Sequence, residues 1–237
     1  PGIAISAHRG GSIEAPENTI EAFQYALDLG CEYIETDVQL SADGIPYIFH
    51  DDNLLRLLGR ETLFNSLNSS EIDNLRLFDS YQIPKLKAAL DKFPEALFQI
   101  DVKTDEVAMP ALKVIEECNS LNRICIASFS SDRLKKVNNA YPEVCLSMGP
   151  KEVVKLLLAS FGLYRKKIPG NCLQIPIYQY GIKLVTQRFV DYVQSIDLKI
   201  HVWTINDVPT MQKLIDMRVD GIITDKPSEL KKLNSVN

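Results

Sequence analysis

This sequence lacks the features of membrane-spanning and nucleic-acid-binding proteins. No apolar run in its 237 residues reaches the ~18 residues that a membrane-spanning helix needs. Lysine and arginine total 26 against 31 aspartate and glutamate residues, a formal net charge of −5. General binding to nucleic acid is not expected, because phosphate backbones require a broad basic face. Any anion site must be local, formed by a few cationic side chains, backbone N–H groups or a metal ion.

Cysteine is scarce and irregularly spaced. The five cysteines are Cys31, Cys118, Cys125, Cys145 and Cys172. Their number is odd and no two lie closer than seven residues, which fits neither a disulfide framework nor a zinc ribbon. Most lie in apolar runs and are interpreted as small core residues. Since no charged-then-apolar leader opens the sequence, we expect a reducing compartment and a cytoplasmic protein.

Internal repeats, low-complexity tracts and linkers are also missing. Hydrophobic residues make up 46% and charged residues 24% of the chain, an ordinary globular composition. A chain of this length can bury a sizeable core, so we expect a single domain over residues 1–237. Residues 52–82 show weaker periodicity and are predicted to be an insertion within that domain.

Short strand-type runs alternate with helix-type stretches over most of the chain. Residues 33–50 predict a hairpin, with a turn at Asp43-Gly44 and a returning strand. Eight strand–helix units in a chain of this size favour an α/β fold, the closed (β/α)8 or TIM barrel, over an open doubly wound sheet. The hairpin and the insertion then follow strand two at the carboxyl-terminal mouth. Without the returning strand, the predicted strands are residues 3–7, the first arm of 33–50, 97–102, 123–128, 143–148, 172–176, 199–205 and 220–224.

Helical patterns fill most of the gaps between these strands. In the first, residues 18–30, Asn18 can cap the helix, Glu21 takes the capping-box position and Gly30 closes it. The other predicted helices are residues 84–92, 106–119, 131–140, 151–160, 186–195 and 208–218.

Polar residues crowd the carboxyl ends of the predicted strands, where a barrel carries its functional groups. Unpaired charges are costly inside a barrel, so their concentration at one end predicts a functional site. The hairpin returns two of them to the level of Asp37. The residues are His8, Arg9, Glu35, Asp37, His50, Asp51, Asp101, Lys103, Ser128, Trp203, Thr204, Thr224 and Asp225.

Three carboxylates are predicted to converge at this end. Glu35 and Asp37 are two residues apart on one strand and point to the same face, and Asp101 comes from the next barrel strand at similar height. A hard divalent cation would relieve their repulsion, and all-oxygen ligation suits Mg²⁺ or Ca²⁺. The alternative is a solvated acidic pair on an edge strand, but the flanking apolar residues favour the metal site.

Cationic side chains and histidines surround the same position. Lys103 lies on the ligand face of its strand and Arg9 follows His8, an arrangement that suits a phosphate. His8 and His50 can act as general acid and general base. His201 lies deeper in its strand with no charged residue after it, and is predicted to be a core or supporting histidine.

Five motifs in one order carry a family resemblance: AHRGGSIEAPENTIEAF, YIETDVQLSADGIPYIFHDDNL, QIDVK, VWTIN and VDGIITDKPSEL, from residue 7 to about residue 230. Together they resemble the glycerophosphodiester phosphodiesterases, a family of (β/α)8 barrels. The resemblance implies a phosphoric diester hydrolase that converts a glycerophosphodiester to glycerol 3-phosphate and an alcohol. It also implies one divalent cation, Mg²⁺ or Ca²⁺, as cofactor.

The resemblance further implies the catalytic and metal-binding residues. His8 and His50 become the catalytic pair, and the metal ligands are Glu35, Asp37 and Asp101. Asp101 stands where the family usually has glutamate, so this ligand is one methylene shorter.

Other matched positions concern the substrate and the support of the ligands. Arg9 and Lys103 match the phosphate-binding positions of the family. Glu17 and Asn18 match its ENT motif and are interpreted as supporting and capping residues, with contact of Glu17 to the metal or the glycerol as the alternative. The residues expected to wall the substrate pocket are Trp203 and Phe129.

Two other functions are alternatives. Gly10 and Gly11, which let backbone and ligand approach closely, are shared with relatives that act as lysophospholipase D. Residues 153–170 are apolar, end in a basic cluster and could touch a membrane surface, although an ordinary barrel helix with a solvated loop is favoured. A non-catalytic binding protein is disfavoured, because the catalytic and ligand residues are retained. The attacking group (water or the glycerol 2-hydroxyl), the role of each histidine, the alcohol and the oligomeric state stay open.

Overall fold

Eight parallel strands form a barrel in the computed structural model, which describes residues 2–236. Three further strands lie off the barrel: β3 (Pro46–Ile48) pairs antiparallel with the second barrel strand, and β8 (Tyr178–Gln179) pairs with β9 (Ile182–Lys183). The barrel strands are β1 (Ala4–His8), β2 (Tyr33–Leu40), β4 (Leu97–Val102), β5 (Ile124–Ala127), β6 (Cys145–Leu146), β7 (Cys172–Pro176), β10 (Lys199–Trp203) and β11 (Gly221–Thr224).

The barrel strands neighbour one another in chain order, and the first and last strands close the ring. β1 pairs in parallel with both β2 and β11, with Ile5 opposite Ile222. The seam between β6 and β7 is short: a bridge joins Ser147 to Cys172, and Met148 N–H donates a 2.8 Å hydrogen bond to the Cys172 carbonyl. The predicted (β/α)8 barrel is confirmed, and the open-sheet alternative is wrong.

Helices connect the strands on the outside of the barrel, and each of the seven predicted helices is present. Sequence analysis did not predict α2, α3 or the β8–β9 hairpin, which are too short to show a period, nor α10, although proline at its first position is a helix-start signal. The helices are α1 (Ile20–Leu29), α2 (Leu55–Leu58), α3 (Ser69–Asp73), α4 (Leu86–Lys92), α5 (Asp105–Glu117), α6 (Ser131–Ala140), α7 (Pro150–Ser160), α8 (Gln187–Ser195), α9 (Val208–Asp216) and α10 (Pro227–Val236).

The first helix begins one residue later than predicted. Thr19, rather than Asn18, caps α1, because the Thr19 hydroxyl accepts a 3.1 Å hydrogen bond from the Ala22 N–H. The Asn18 backbone turns aside with a φ of 55°, and its side chain is used at the site described below. The capping-box position is therefore Ala22, not Glu21. Gly30 ends the helix in the left-handed conformation, as predicted.

Two apolar cores stabilise the fold. The larger fills the space between barrel and helices and includes Ile34, Ile100 and Val202. The smaller lies under the chain between β3 and α4, where the rings of Phe49 and Phe64 stack with centroids 4.7 Å apart. This second core holds α2 at the carboxyl-terminal rim of the barrel. Its buried residues are Tyr47, Phe49, Leu54, Phe64, Ile72, Leu77 and Ile83.

Residues 161–171 return the chain from the end of α7 to the start of β7. They lie at the amino ends of the barrel strands, opposite the carboxyl-terminal mouth, and α7 packs like an ordinary barrel helix. Only the first turns of α7 reach that mouth, so the basic end of residues 153–170 does not line it. Those basic residues, all exposed, are Arg165, Lys166 and Lys167. Among residues 2–236, no helix combines the length and apolar character needed to cross a bilayer.

Candidate active site

A cavity of about 230 Å³ opens at the carboxyl ends of the barrel strands. Glu17 and Asn18 are not part of its lining but hydrogen-bond to residues that are. The barrel thus gathers side chains that are spread over most of the sequence. The other nine predicted site residues line the cavity: His8, Arg9, Glu35, Asp37, His50, Asp101, Lys103, Phe129 and Trp203.

The polar side of the cavity carries the three predicted carboxylates. Glu35 and Asp37 both point into the mouth, because alternate residues of β2 share a face. Asp37 is opposite Asp101 in the parallel register of β2 and β4. The Lys103 Nζ lies between these two, 2.7 Å from Asp37 Oδ1 and 2.6 Å from Asp101 Oδ2. All three carboxylates are buried, so their charges must be balanced locally.

The electrostatics of this cluster leave a deficit of positive charge. Burial raises the pKa of Glu35 to about 7, and the charge of Asp37 adds to the effect. Burial also raises the pKa of Asp101, against the opposing charge of Lys103. At Asp37 burial acts in the same direction, but the surrounding cationic groups, Lys103 first, outweigh it and lower the pKa. A further cation nearby would lower the pKa of Glu35 and of Asp101 and so favour their ionised forms.

The three carboxylates fit a hard divalent cation. Asp101 Oδ1 is buried and has no hydrogen-bond partner in the described part of the chain, which leaves it free to act as a ligand. Carboxylate oxygens are the donors that Mg²⁺ and Ca²⁺ prefer. The cluster stays more open than a tight ligand set, because the Lys103 ammonium group lies between Asp37 and Asp101.

His8 is held in one orientation by the last barrel strand. Its Nδ1 lies 2.6 Å from Asp225 Oδ1, and its Nε2 faces the cavity, 3.8 Å from Glu35 Oε2. Asp225 is itself fixed, because Ser12 and Asn206 donate hydrogen bonds to its two carboxylate oxygens. Burial would lower the pKa of His8, but the negative charges of Glu35 and Asp225 outweigh it and raise the pKa.

His50 has an equivalent anchor at the end of the β2–β3 hairpin. Its Nδ1 lies 2.5 Å from Asp51 Oδ1. Arg56, from α2, holds Asp51 through a 2.7 Å hydrogen bond from Nε to Oδ2. The Gln39 side chain donates to the carbonyls of His50 and Asp51 and fixes the backbone. In both histidines the Nδ1 binds an aspartate, which leaves each Nε2 for a substrate.

Sequence analysis missed the anchoring residues of both histidines. Asp225 and Asp51 were noted at strand ends without a role, and that position was the available signal. Asn206 follows β10 in the motif VWTIN and gave a weaker signal. Arg56 lies in the weakly periodic segment 52–82, where the sequence offered none.

Glu17 connects the two halves of the site. It accepts a hydrogen bond of 3.1 Å from Arg9 Nη1 and two from the Arg56 guanidinium at 2.8 and 2.7 Å. Burial would raise the pKa of Glu17, but the two arginines outweigh it and lower the pKa. Asn18 donates to Asp37 Oδ2 at 3.1 Å. Both residues therefore stand behind the cavity lining and hold it in place.

Gly10 and Gly11, in the loop after β1, pack against helices and do not line the cavity. A Cβ on Gly10 would lie 2.6 Å from Ala22 Cβ, and one on Gly11 would lie 3.0 Å from Pro227 Cγ. Both glycines have positive φ, 82° and 95°. The expectation that they admit a ligand was wrong: the close approach is between this loop and α1 and α10.

The opposite side of the cavity is apolar. Phe129 and Trp203 meet edge to face with centroids 5.7 Å apart, and Phe129 is 64% exposed. A substrate in this cavity would meet charged groups at one end and an uncharged wall at the other. The wall is completed by Met148, Pro150, Val153, Ile175 and Pro176.

Charged groups that suit a phosphate lie at the mouth of a (β/α)8 barrel, and comparison with known proteins identifies the class as phosphoric diester hydrolase. The sequence profile described as "Glycerophosphoryl diester phosphodiesterase family" matches residues 8–229. The chain belongs to the glycerophosphoryl diester phosphodiesterase family.

Individual relatives match almost the whole chain. "Probable glycerophosphodiester phosphodiesterase 2" of Mycobacterium tuberculosis is 33% identical, over 95% of this chain and 88% of that protein. "Lysophospholipase D GDPD1" of Homo sapiens is 24% identical, over 95% of this chain and 84% of that protein. A solved phosphodiesterase of Oleispira antarctica, in complex with the product sn-glycerol-3-phosphate, has a TM-score of 0.81 at 23% identity, over 97% of this chain and 95% of that one.

Proposed function

We propose that this protein hydrolyses glycerophosphodiesters to glycerol 3-phosphate and an alcohol, by acid–base catalysis with two histidines. The observation that carries the proposal is the matched anchoring of His8 and His50, each with Nδ1 on an aspartate in a cavity that also holds carboxylates and cations. The activities named for the relatives, and the glycerol 3-phosphate bound in the Oleispira antarctica structure, support the same substrate class.

Glu35, Asp37 and Asp101 would hold one divalent cation, Mg²⁺ or Ca²⁺. Their oxygen donors, the unpartnered Asp101 oxygen and the deficit of positive charge support this assignment. When bound, the cation supplies positive charge against the phosphoryl oxygens. The shorter Asp101 places this ligand nearer its own strand than a glutamate would be.

The phosphate would be bound by Arg9 and Lys103, both of which line the cavity. Arg9 is oriented by Glu17; its buried Nε makes no hydrogen bond among residues 2–236 but lies 3.5 Å from Asp37 Oδ2. These donors neutralise phosphoryl charge as it builds in the transition state. The alcohol would lie along the apolar wall of Phe129 and Trp203.

The histidines would move the protons. One Nε2 accepts a proton from the attacking hydroxyl, of water or of the glycerol 2-position, while the other donates a proton to the leaving alkoxide. The aspartate on each Nδ1 stabilises the imidazolium form and sets the tautomer.

The test is hydrolysis of glycerophosphocholine by the full chain with Mg²⁺ or Ca²⁺, measured as the release of glycerol 3-phosphate. We expect His8→Ala and His50→Ala each to lower kcat by ~10²–10⁴-fold while both retain the cation. His201→Gln is the matched control, since His201 is buried away from the cavity lining. If several diesters give no metal-dependent release, the protein is a non-catalytic binding protein on this barrel.

A second candidate is lysophospholipase D activity, which the apolar wall favours. An acyl chain could lie against this wall, and the Homo sapiens relative carries that name. Parallel assays with glycerophosphocholine and lysophosphatidylcholine separate the two. A higher kcat/KM on the lysolipid, together with binding to anionic vesicles, would decide for the second candidate.

A further inference from the structure

Three of the five cysteines meet at the amino ends of neighbouring barrel strands. Cys125 is the second residue of β5, and Cys145 and Cys172 are the first residues of β6 and β7. Their Sγ atoms all lie within 4.8 Å of one another, and Cys125 Sγ is 3.6 Å from Cys172 Sγ. Among the residues that the structure describes, this is the one group whose ligand atoms gather so closely for a metal ion.

The cluster is separate from the active-site cavity. None of the three cysteines lines that cavity, which lies at the carboxyl ends of the same strands. Cys145 and Cys172 are half-buried, and Cys125 is the most enclosed of the three. The cluster also spans the seam between β6 and β7, where Ser147 bridges to Cys172.

The thiols have weak partners apart from one another. Gln174 Nε2 lies 3.9 Å from Cys125 Sγ, and the Leu146 carbonyl lies 4.0 Å from Cys172 Sγ. Cys125 and Cys172 both share hydrogen bonds with Cys145 and lower its pKa. The same contacts, together with burial, raise the pKa of Cys125, so a bound cation has to displace the remaining thiol protons.

The spacing suits a bound cation. A tetrahedral Zn²⁺ with Zn–S bonds of about 2.3 Å places its sulfurs about 3.8 Å apart, close to the 3.6 Å between Cys125 and Cys172. A disulfide would need sulfurs about 2.05 Å apart. Thiolates are soft ligands and select ions of the zinc type over Mg²⁺ or Ca²⁺.

We propose that Cys125, Cys145 and Cys172 form a binding site for one thiophilic divalent cation of the Zn²⁺ class. Three sulfurs occupy three of four tetrahedral positions, and water fills the fourth. Each thiol that binds as a thiolate releases one proton to solvent. The ion links β5, β6 and β7 and stabilises the barrel at its shortest strand. The site is independent of the proposed hydrolysis.

The test is a Co²⁺ titration of the reduced full chain in excess Mg²⁺, monitored through the sulfur-to-cobalt charge-transfer absorption. We expect one Co²⁺ per chain, displaced by Zn²⁺, and loss of the band in Cys145→Ser. The matched controls are Cys31→Ser and Cys118→Ser, which remove thiols outside the cluster and should keep the band. Glu35→Gln should also keep it, which separates this site from the carboxylates at the mouth.

Two further measurements test the proposal if a cysteine variant folds poorly. Zn²⁺ should protect three thiols of the wild-type chain from alkylation, identified by mass spectrometry as residues 125, 145 and 172. Zn²⁺ at a hundredfold excess over Kd should raise Tm by roughly 5–10 °C, and Cys125→Ala should lose this rise. The proposal fails if no charge-transfer band forms, if Glu35→Gln abolishes it, or if the cluster variants retain it.

Discussion

The Nδ1 atom of His8 lies 2.6 Å from Oδ1 of Asp225, a residue 217 positions later in the chain. The contact exists because β1 and β11 are adjacent in the closed barrel, with Ala7 opposite Thr224. It fixes the imidazole so that Nε2 faces the cavity. A residue that the family resemblance did not single out thus orients a predicted catalytic histidine.

Asp225→Asn is expected to lower kcat by ~10–10²-fold with a smaller change in KM, because His8 loses its charged anchor. The charge of Asp225 raises the pKa of His8, so the limb of the pH–rate profile that belongs to His8 should move to lower pH. Steady-state kinetics across pH would measure both effects. Asp220→Asn is the control, since Asp220 pairs with Lys199 outside the cavity lining. An unchanged kcat and pH profile would remove Asp225 from this role.

Arg56→Ala is expected to lower kcat about 10-fold, because Asp51 then loses the guanidinium that holds it against His50. Arg56→Lys should recover only part of the loss, since lysine cannot contact Asp51 and Glu17 with paired donors. Arg60→Ala changes an exposed arginine of the same segment and should behave like the wild type. Equal kinetics for the Arg56 and Arg60 variants would contradict the interpretation.

Asp101→Ala is expected to raise the Mg²⁺ or Ca²⁺ concentration for half-maximal activity by at least ~10-fold. Asp101→Glu keeps the carboxylate and lengthens the side chain by one methylene, and should retain tight binding. Activity against metal concentration, with isothermal titration of the ion, measures the change. Glu95→Gln, at an exposed carboxylate, is the control. An unaltered activation curve in Asp101→Ala would show that the cation does not use this residue.

His201→Gln is expected to flatten the acid side of the stability profile. Burial lowers the pKa of His201 to about 4, whereas an unfolded histidine titrates near 6.5. The unfolded chain therefore binds one more proton between these values, and stability is lost as pH falls from about 6.5 to about 4. The neutral His201 therefore contributes to the unfolding free energy at neutral pH an amount of the order of 3 kcal/mol.

Urea unfolding at several pH values measures this effect as the difference between wild type and variant, which cancels the titration of other groups. Glutamine can still hydrogen-bond to Gln99, the partner of His201. A constant difference in unfolding free energy from pH 7 to pH 4 would contradict the buried neutral histidine.

The polar mouth was predictable because strand alternation is local. Glu35 and Asp37, or Asp101 and Lys103, need only the two-residue period to share a face, and His50 needs only the hairpin turn. The anchors were not predictable in the same way. Asp225 meets His8 through closure of the ring, and Arg56 is positioned by a small core that has no regular period.

The cysteine cluster was not predictable from the sequence either. Their separation along the chain gives no ligand pattern, yet Cys125 and Cys145 are opposite one another in the ladder of β5 and β6.

The prediction that Asn18 caps α1 was wrong for a local reason. Asn18 and Thr19 are both good capping residues. The Asn18 side chain hydrogen-bonds to Asp37 and Thr36 instead, which leaves Thr19 as the cap.

The ladder between β1 and β11 also bears on how the enzyme is made. The three carboxylates, Lys103 and His50 all precede β5 in the chain, whereas the strand that leads to Asp225 is β11, the last strand of the barrel. A chain without β11 and the residues after it would carry all of these groups and still lack the aspartate that holds the His8 imidazole. The His8 imidazole is therefore oriented only once β1 and β11 have paired.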